Sequence, residues 1–407
     1  MRMHEPAAIN RRASWAIFFA VFAIATSVSF IFAILPAIGR SLGLSEIQLG
    51  LVVAPAALVF VLTGPLWGRL NVRIGQKQTI ILALIASTFS TLAFGFVIVL
   101  RLANELSATT TFLGLVAGRM GLSLFAAAVL PTAQAYIADT TAHEHRTAAL
   151  AQMGAGFALG LVAAPGIAGA TASFGPFTPF LVIAMILAIA TLVAIWGLTR
   201  TEKLVAAHRH AGEKTKLSRV WSLLFIIMLF YTAYAILLQV TGFRIQDQFD
   251  LPPEAAAREA GIALMVTAAG LVFTQLALAR ADLATHWTGR VLLAGSVVSL
   301  AAMGILASSV SLPVQLFGMA LFGCGLGLGL PSVLGLMTLI AEAAGDQGRI
   351  GGLSGSAQGL GLVFGPLVGA ATYKLDGSAP YIVGIVLLAI VCGLRLFAAR
   401  TTGAGHQ

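Results

Sequence analysis

Charge is what this sequence has least of. Only 10% of its 407 residues are Asp, Glu, Lys or Arg, where a water-soluble globule carries roughly a quarter, and that scarcity excludes a soluble globular domain. Cysteine is almost missing too. Cys324 and Cys392 lie far apart and inside apolar runs, where a small soft side chain packs well, which excludes a disulfide framework or a zinc site. Acidic residues number 15 against 24 basic ones, a net charge of +9. The basic residues nonetheless sit in short segments between apolar runs, with no aromatic-interleaved stripe to follow a phosphate backbone, so no nucleic-acid partner is expected. Convergent catalytic sets are lacking as well: no Ser/His/Asp or Cys/His group falls at one membrane depth, and covalent catalysis has no support. His143-Glu144-His145 and His208-Arg209-His210 alternate in short polar loops without companion ligands. They read as solvated residues, so neither a metal nor a cofactor is expected.

Apolar residues fill the space. They make up 58% of the chain, and mean hydropathy is +0.95. They come in runs of about twenty, the length a helix needs to cross a hydrocarbon core roughly 30 Å thick. Twelve spans are predicted, at 13–39, 47–70, 78–100, 109–137, 147–172, 177–199, 220–243, 257–279, 291–310, 313–342, 350–373 and 378–399. The first is too long for a signal-peptide core and has no small-residue cleavage site, so it reads as a retained span. An even count puts both ends on one side. With the N-terminus inside, the external loops hold only Arg40, Arg101, Arg258 and Lys374, while most other cations, from Arg11-Arg12 to Arg400, fall inside. This positive-inside bias predicts a multi-pass protein of the inner (cytoplasmic) membrane with both termini cytoplasmic.

The longest polar interruption, 200–219, divides the chain into an N-terminal six-helix bundle at 1–199 and a C-terminal one at 220–407. The halves echo each other about 200 residues apart. Pro131 and Pro165-Gly166 in the first half correspond to Pro331 and Gly365-Pro366 in the second, with glycines around each pair. A parallel repeat of six spans accounts for this, and such repeats place a substrate site at the interface of the halves near the midplane.

Three segments resemble the major facilitator superfamily, and the likeness covers nearly the whole chain. The loop Gly68-Arg69-Leu70-Asn71-Val72-Arg73-Ile74-Gly75-Gln76-Lys77 is similar to the superfamily's loop signature of Gly, Asp, Arg, Gly and a basic pair. Span four carries Arg119, Gly121 and a run of small residues, ends Tyr136-Ile137-Ala138-Asp139 and is followed by Arg146, as in the drug-exporter branch. Span five, Gly154 to Gly169 with Pro165-Gly166, is similar to the glycine-proline signature associated with antiporters. The resemblance implies an all-α membrane fold of two pseudo-symmetric six-helix bundles and a twelve-span drug:proton antiporter. It implies a gate that includes Arg73, Gly75, Lys77, Asp139, Arg146, Pro165 and Gly166. One departure stands out: Val72 occupies the position of the signature's aspartate, so the charge that the family uses at that gate is missing.

Arg119 is the sharpest single residue. A cation about ten residues into a span lies near mid-membrane, where insertion costs a few kcal/mol and the side chain must face protein or water. One reading has it line a cavity and attract an anionic group or take part in proton-linked gating; the other has it cap backbone carbonyls of span one. Carboxylates are absent from the middle of every span, and Asp139, Asp247 and Glu342, at span ends, are the proton-coupling candidates. Gln134, Tyr231, Tyr234, Gln239 and Gln358 are polar groups within apolar helices that need a partner from substrate or from a neighbouring helix. Recurring glycines, such as Gly156 and Gly160, mark close helix contacts.

The expected protein is a secondary transporter, a monomer in the lipid bilayer, exporting a small amphipathic or drug-like solute in exchange for protons. An importer or facilitator of a small organic anion, anchored by Arg119, is the alternative. A membrane enzyme lacks a catalytic set, and a sensor lacks a sizeable soluble domain.

Overall fold

The computed structural model describes residues 11–199, 220–280, 288–344 and 347–403, without the side chains of 72, 143, 144, 147, 341–349 and 398–403. The linker assigned to 200–219 and the side chain of Glu342 therefore lie outside the described residues. All regular structure among the described residues is helical. The first half contains α1 (Arg11–Ser29), α2 (Ile31–Gly39), α3 (Glu46–Ile74), α4 (Gln76–Leu102), α5 (Ala108–Thr140), α6 (His143–Ala172) and α7 (Thr178–Gly197). The second contains α8 (Trp221–Gln248), α9 (Pro253–Arg280), α10 (Thr288–Ser308), α11 (Leu312–Ala344), α12 (Gln347–Tyr373) and α13 (Ala379–Gly403).

With α1 and α2 forming one interrupted crossing, these are twelve transmembrane helices in two six-helix, pseudo-symmetric bundles. Eleven crossings among the described residues are recognisable by length and apolarity alone. The remaining one, α12, has 27 residues, about 40 Å of helix, but its many glycines dilute its hydropathy. Each crossing begins and ends within a few residues of the span predicted for it. The first differs in being broken. Phe30 still bonds back to the Thr26 carbonyl, whereas Ala33 reaches only to Phe30, three residues back. Pro36 brings no N–H to the turn that follows.

Local sequence explains the other boundaries. Ser45 starts α3 with a capping box: its hydroxyl accepts from the Gln48 amide while the Gln48 side chain accepts from the Ser45 amide. Ser107 caps α5 through Thr110. Gly75 separates α3 from α4 with φ of +97° and ψ of 146°, a backbone region used almost only by glycine and costing other residues about 1–3 kcal/mol.

Within a bilayer, helix association rests on close packing, because lipid tails are as apolar as leucine. In the first half α1 packs on α6, and α4 on α5 and α7; in the second half α8 packs on α12, and α10 on α11 and α13. These are equivalent pairs, and they use the same device. A Cβ at Gly160 of α6 would sit 2.5 Å from the Phe22 carbonyl of α1, and one at Gly361 of α12 would sit 2.7 Å from the Met228 carbonyl of α8. Glycine lets the backbones meet.

The chain forms two compact units. They follow the halves except that Leu49–Ala54 of α3 groups with the second and Pro253–Gly261 of α9 with the first. Large apolar side chains such as Phe89, Phe273 and Phe317 are exposed, as expected of a surface solvated by lipid. Trp15, Trp196 and Trp221 are exposed too. They sit at the start of α1, the end of α7 and the start of α8, at helix ends, where the membrane–water interface favours Trp.

Candidate functional site

Arg119 sits in the middle of α5 and is only 4% exposed. Its Nη2 donates to the Val28 carbonyl at 2.8 Å, one residue before α1 ends. The guanidinium thus binds a carbonyl at the helix interruption, as the carbonyl-capping alternative expects. Its Cζ also lies 6.0 Å from the centre of the Phe32 ring, within cation–π reach. Nε and Nη1 are buried without a partner, which leaves donors for a guest. Arg119 also borders a small, largely apolar cavity of about 10 Å³ lined by Phe30, Ile31, Ser90, Thr91, Phe94 and Leu122, room for about one water. The second half has no counterpart charge. Aligning Pro131 with Pro331 sets Arg119 against Met319, which is fully buried with its Sδ 4.0 Å from the Thr241 hydroxyl of α8.

A second set of contacts gathers around the α3–α4 turn. The Gly75 amide closes α3 on the Asn71 carbonyl at 2.9 Å. The next residue, Gln76, donates from Nε2 to Asp139 Oδ2 at 2.5 Å, joining the start of α4 to the end of α5. Lys77 Nζ donates to the Ile195 and Leu198 carbonyls at 2.7 and 2.6 Å, so a cation sits at the C-terminal, negative end of α7. Tyr136 accepts from the Thr199 amide at 3.1 Å. Arg146 closes the set by donating to the Ala138 carbonyl at 2.7 Å, while Arg73 is exposed.

Five of the gate residues implied by the resemblance, Arg73, Gly75, Lys77, Asp139 and Arg146, therefore share one end of the first unit. Pro165 and Gly166 do not. They lie some 22 residues along α6, about 33 Å from its start. Gln76 and Tyr136 were not singled out from sequence, although both stand inside the motifs that were. Trp67 was also missed; its Nε1 donates to the Leu124 carbonyl of α5 at 2.6 Å, and no motif marks it.

The other polar candidates are divided between the units. Gln134 is exposed on α5. On α8, Tyr231 and Tyr234 are half-buried one turn apart, and Gln239 is buried with its Nε2 unpaired. Gln358 is half-buried on α12, one turn before Gly361, which packs against Tyr231. Asp247, at the end of α8, is exposed and accepts from the Tyr373 hydroxyl at 2.7 Å.

Comparison with known proteins agrees with this architecture. Multidrug resistance protein 1 of Bacillus subtilis (strain 168) is 26% identical over 378 residues, covering 91% of this chain and 92% of that one. Tetracycline resistance protein, class B, of Escherichia coli is 26% identical over 391 residues, covering 91% and 92%. Among solved structures, a bacterial homolog of the human lysosomal transporter Spinster, in an inward-facing and occupied conformation, superposes with a TM-score of 0.75 at 16% identity, covering 95% of this chain and 96% of that one. A model of the Major Facilitator Superfamily matches residues 17–366. With that match over most of its length and two bundles built on one plan, the chain belongs to the Major Facilitator Superfamily and is a transporter, not an enzyme.

Proposed function

We propose that this transporter exports a small amphipathic or drug-like organic solute by alternating access, in exchange for protons. The observation that carries the reading is Arg119: a cation at membrane depth, held by a single carbonyl and with two donors unspent. A group so placed costs several kcal/mol unless it is used. Export is supported by the relatives, whose names are those of multidrug and tetracycline resistance proteins. Gln134, Tyr231, Tyr234, Gln239 and Gln358 supply hydrogen bonds to the solute in this reading, and Asp139 and Asp247 carry the proton, with Glu342 as a third candidate. The cluster of Arg73, Gly75, Lys77, Asp139 and Arg146 forms a gate, and Pro165-Gly166 shapes the helix it lies in. The functional division is 1–199 and 220–407 joined by 200–219, in a monomer of the inner membrane with both termini cytoplasmic.

Flux in liposomes containing the purified protein tests this. Uptake of a fluorescent neutral, amphipathic drug should follow an imposed proton gradient and collapse when the gradient is dissipated. Flux that ignores the gradient removes antiport. A second reading, a facilitator of small organic anions, draws on the same residue: Arg119 has no carboxylate partner, and no described carboxylate lies in the middle of a crossing. Saturable, gradient-independent flux of an organic anion, lost on Arg119→Gln, would favour it.

A further inference from the structure

One kind of close contact occurs twice, once in each compact unit, at glycines that the gate and the solute site do not include. A Cβ at Gly261 of α9 would come within 2.3 Å of the Pro165 carbonyl of α6 and 3.2 Å of Gly169 Cα, all in the first unit. A Cβ at Gly50 of α3 would lie 2.9 Å from the Pro366 carbonyl of α12 and 3.1 Å from Ala370 Cβ, all in the second unit. Gly169 and Ala370 each follow their proline by four residues, so either glycine meets a proline carbonyl and the residue one turn on. The helices correspond as well: α3 and α9 are the second crossing of their halves, α6 and α12 the fifth, and both prolines stand seven residues before their helix ends. All six residues are buried. Farther along the same helices, Gly64 and Gly68 of α3, Gly154 of α6, and Gly351 and Gly355 of α12 stand in open space.

At such an approach only glycine fits. The hydrogen that stands in place of a Cβ rests against the carbonyl, a weak attraction that recurs where helices cross closely. An added methyl must push the helices apart, and overpacking then destabilises the arrangement that needs the contact. An arrangement that does not need it is untouched, so the balance between the two moves by the differential cost alone. We infer that Gly50–Pro366 and Gly261–Pro165 are equivalent latches that hold one end of the transporter shut and release together when that end opens. The inference rests on the alternating-access reading above. Gly50 and Gly261 are positioning residues in it: they touch no solute but set how often that end opens. In the proposed orientation it is the external end, because it lies opposite the chain termini.

Amide hydrogen exchange of the purified full-length protein, without solute or proton gradient, tests the pair by altering one latch and reading the other. Gly50→Ala should speed exchange across 165–172 and 253–261 at least about fivefold, and Gly261→Ala should do the same across 46–54 and 366–373. Gly64→Ala, in α3 but with open space around it, should leave both regions as in the wild type. A glycine that merely packs would loosen its own contact alone. Unchanged exchange at the other latch therefore overturns the inference, as would an equal effect of Gly64→Ala. If Gly261→Ala does not fold, Gly50→Ala, the less crowded substitution, decides alone. Rejection of the latches leaves the flux experiment standing, and flux that ignores the proton gradient leaves the latches standing.

Discussion

The Arg119 guanidinium donates to the Val28 carbonyl across 91 residues of sequence, in the last turn of α1 just before the chain breaks into α2. The contact joins two unusual features of the first unit, a cation at membrane depth and an interrupted helix. Satisfying one of them satisfies part of the other. A hydrogen bond to a charged group is worth about 1.5–3 kcal/mol.

Replacing Arg119 by Lys keeps the charge but not the planar fork that reaches Val28 with one nitrogen and holds Nε and Nη1 buried and unpaired. Flux in liposomes should fall at least tenfold in Arg119→Lys. Wild-type flux in that variant would show that charge alone suffices.

Gly160→Val is expected to separate α1 from α6, since even a Cβ would lie 2.5 Å from the Phe22 carbonyl. Overpacking of this kind costs about 1–3 kcal/mol, read as a lower thermal midpoint. Gly154→Ala, in the same helix but with open space around it, should leave the midpoint within error.

At the α3–α4 turn, Gly75→Ala must adopt φ near +97° or rebuild the turn. A loss of about 1–3 kcal/mol in stability is expected, and with it the Gln76–Asp139 hydrogen bond should loosen. Amide hydrogen exchange across 75–79 is the measurement, and protection equal to wild type would contradict the prediction.

Lys77→Met removes the cation from the end of α7. A cap plus a favourable dipole contact contributes about 0.5–2 kcal/mol, so the last turn of α7 should exchange its amides roughly tenfold faster. Lys77→Arg, still able to reach two carbonyls, should restore much of the protection; failure of both to differ from wild type would remove the capping role.

The proposed proton coupling is tested by Asp139→Asn and Asp247→Asn. Each amide keeps an acceptor for Gln76 or Tyr373 but cannot bind and release a proton. The one that carries the coupling proton should lose gradient-driven flux while retaining solute exchange between equal concentrations. If both keep gradient-driven flux, neither is the carrier.

How far the sequence could be read differs from region to region. Twelve crossings were visible because each must be apolar over about twenty residues, a constraint imposed by the solvent and independent of neighbours. The interruption at Phe30 was not visible, for it falls inside an unbroken apolar run, and hydropathy does not record hydrogen-bond partners. Arg119 could be singled out, since a lone charge in such a run is costly wherever it points, but both readings of it stayed open until its neighbours were known. The residues of the loop signature were legible as a motif, yet Lys77 turns to the end of α7 and Gln76, unremarked, is the one that meets Asp139.

Length, hydropathy and the placement of charge and proline therefore determined that this chain crosses a membrane twelve times in two related halves, because those properties act through the solvent and the backbone and need no partner. Which carbonyl receives Arg119 and which helix end receives Lys77 were decided only by tertiary structure. Such contacts join residues from 57 to 121 positions apart, and their geometry exists only once the helices have packed.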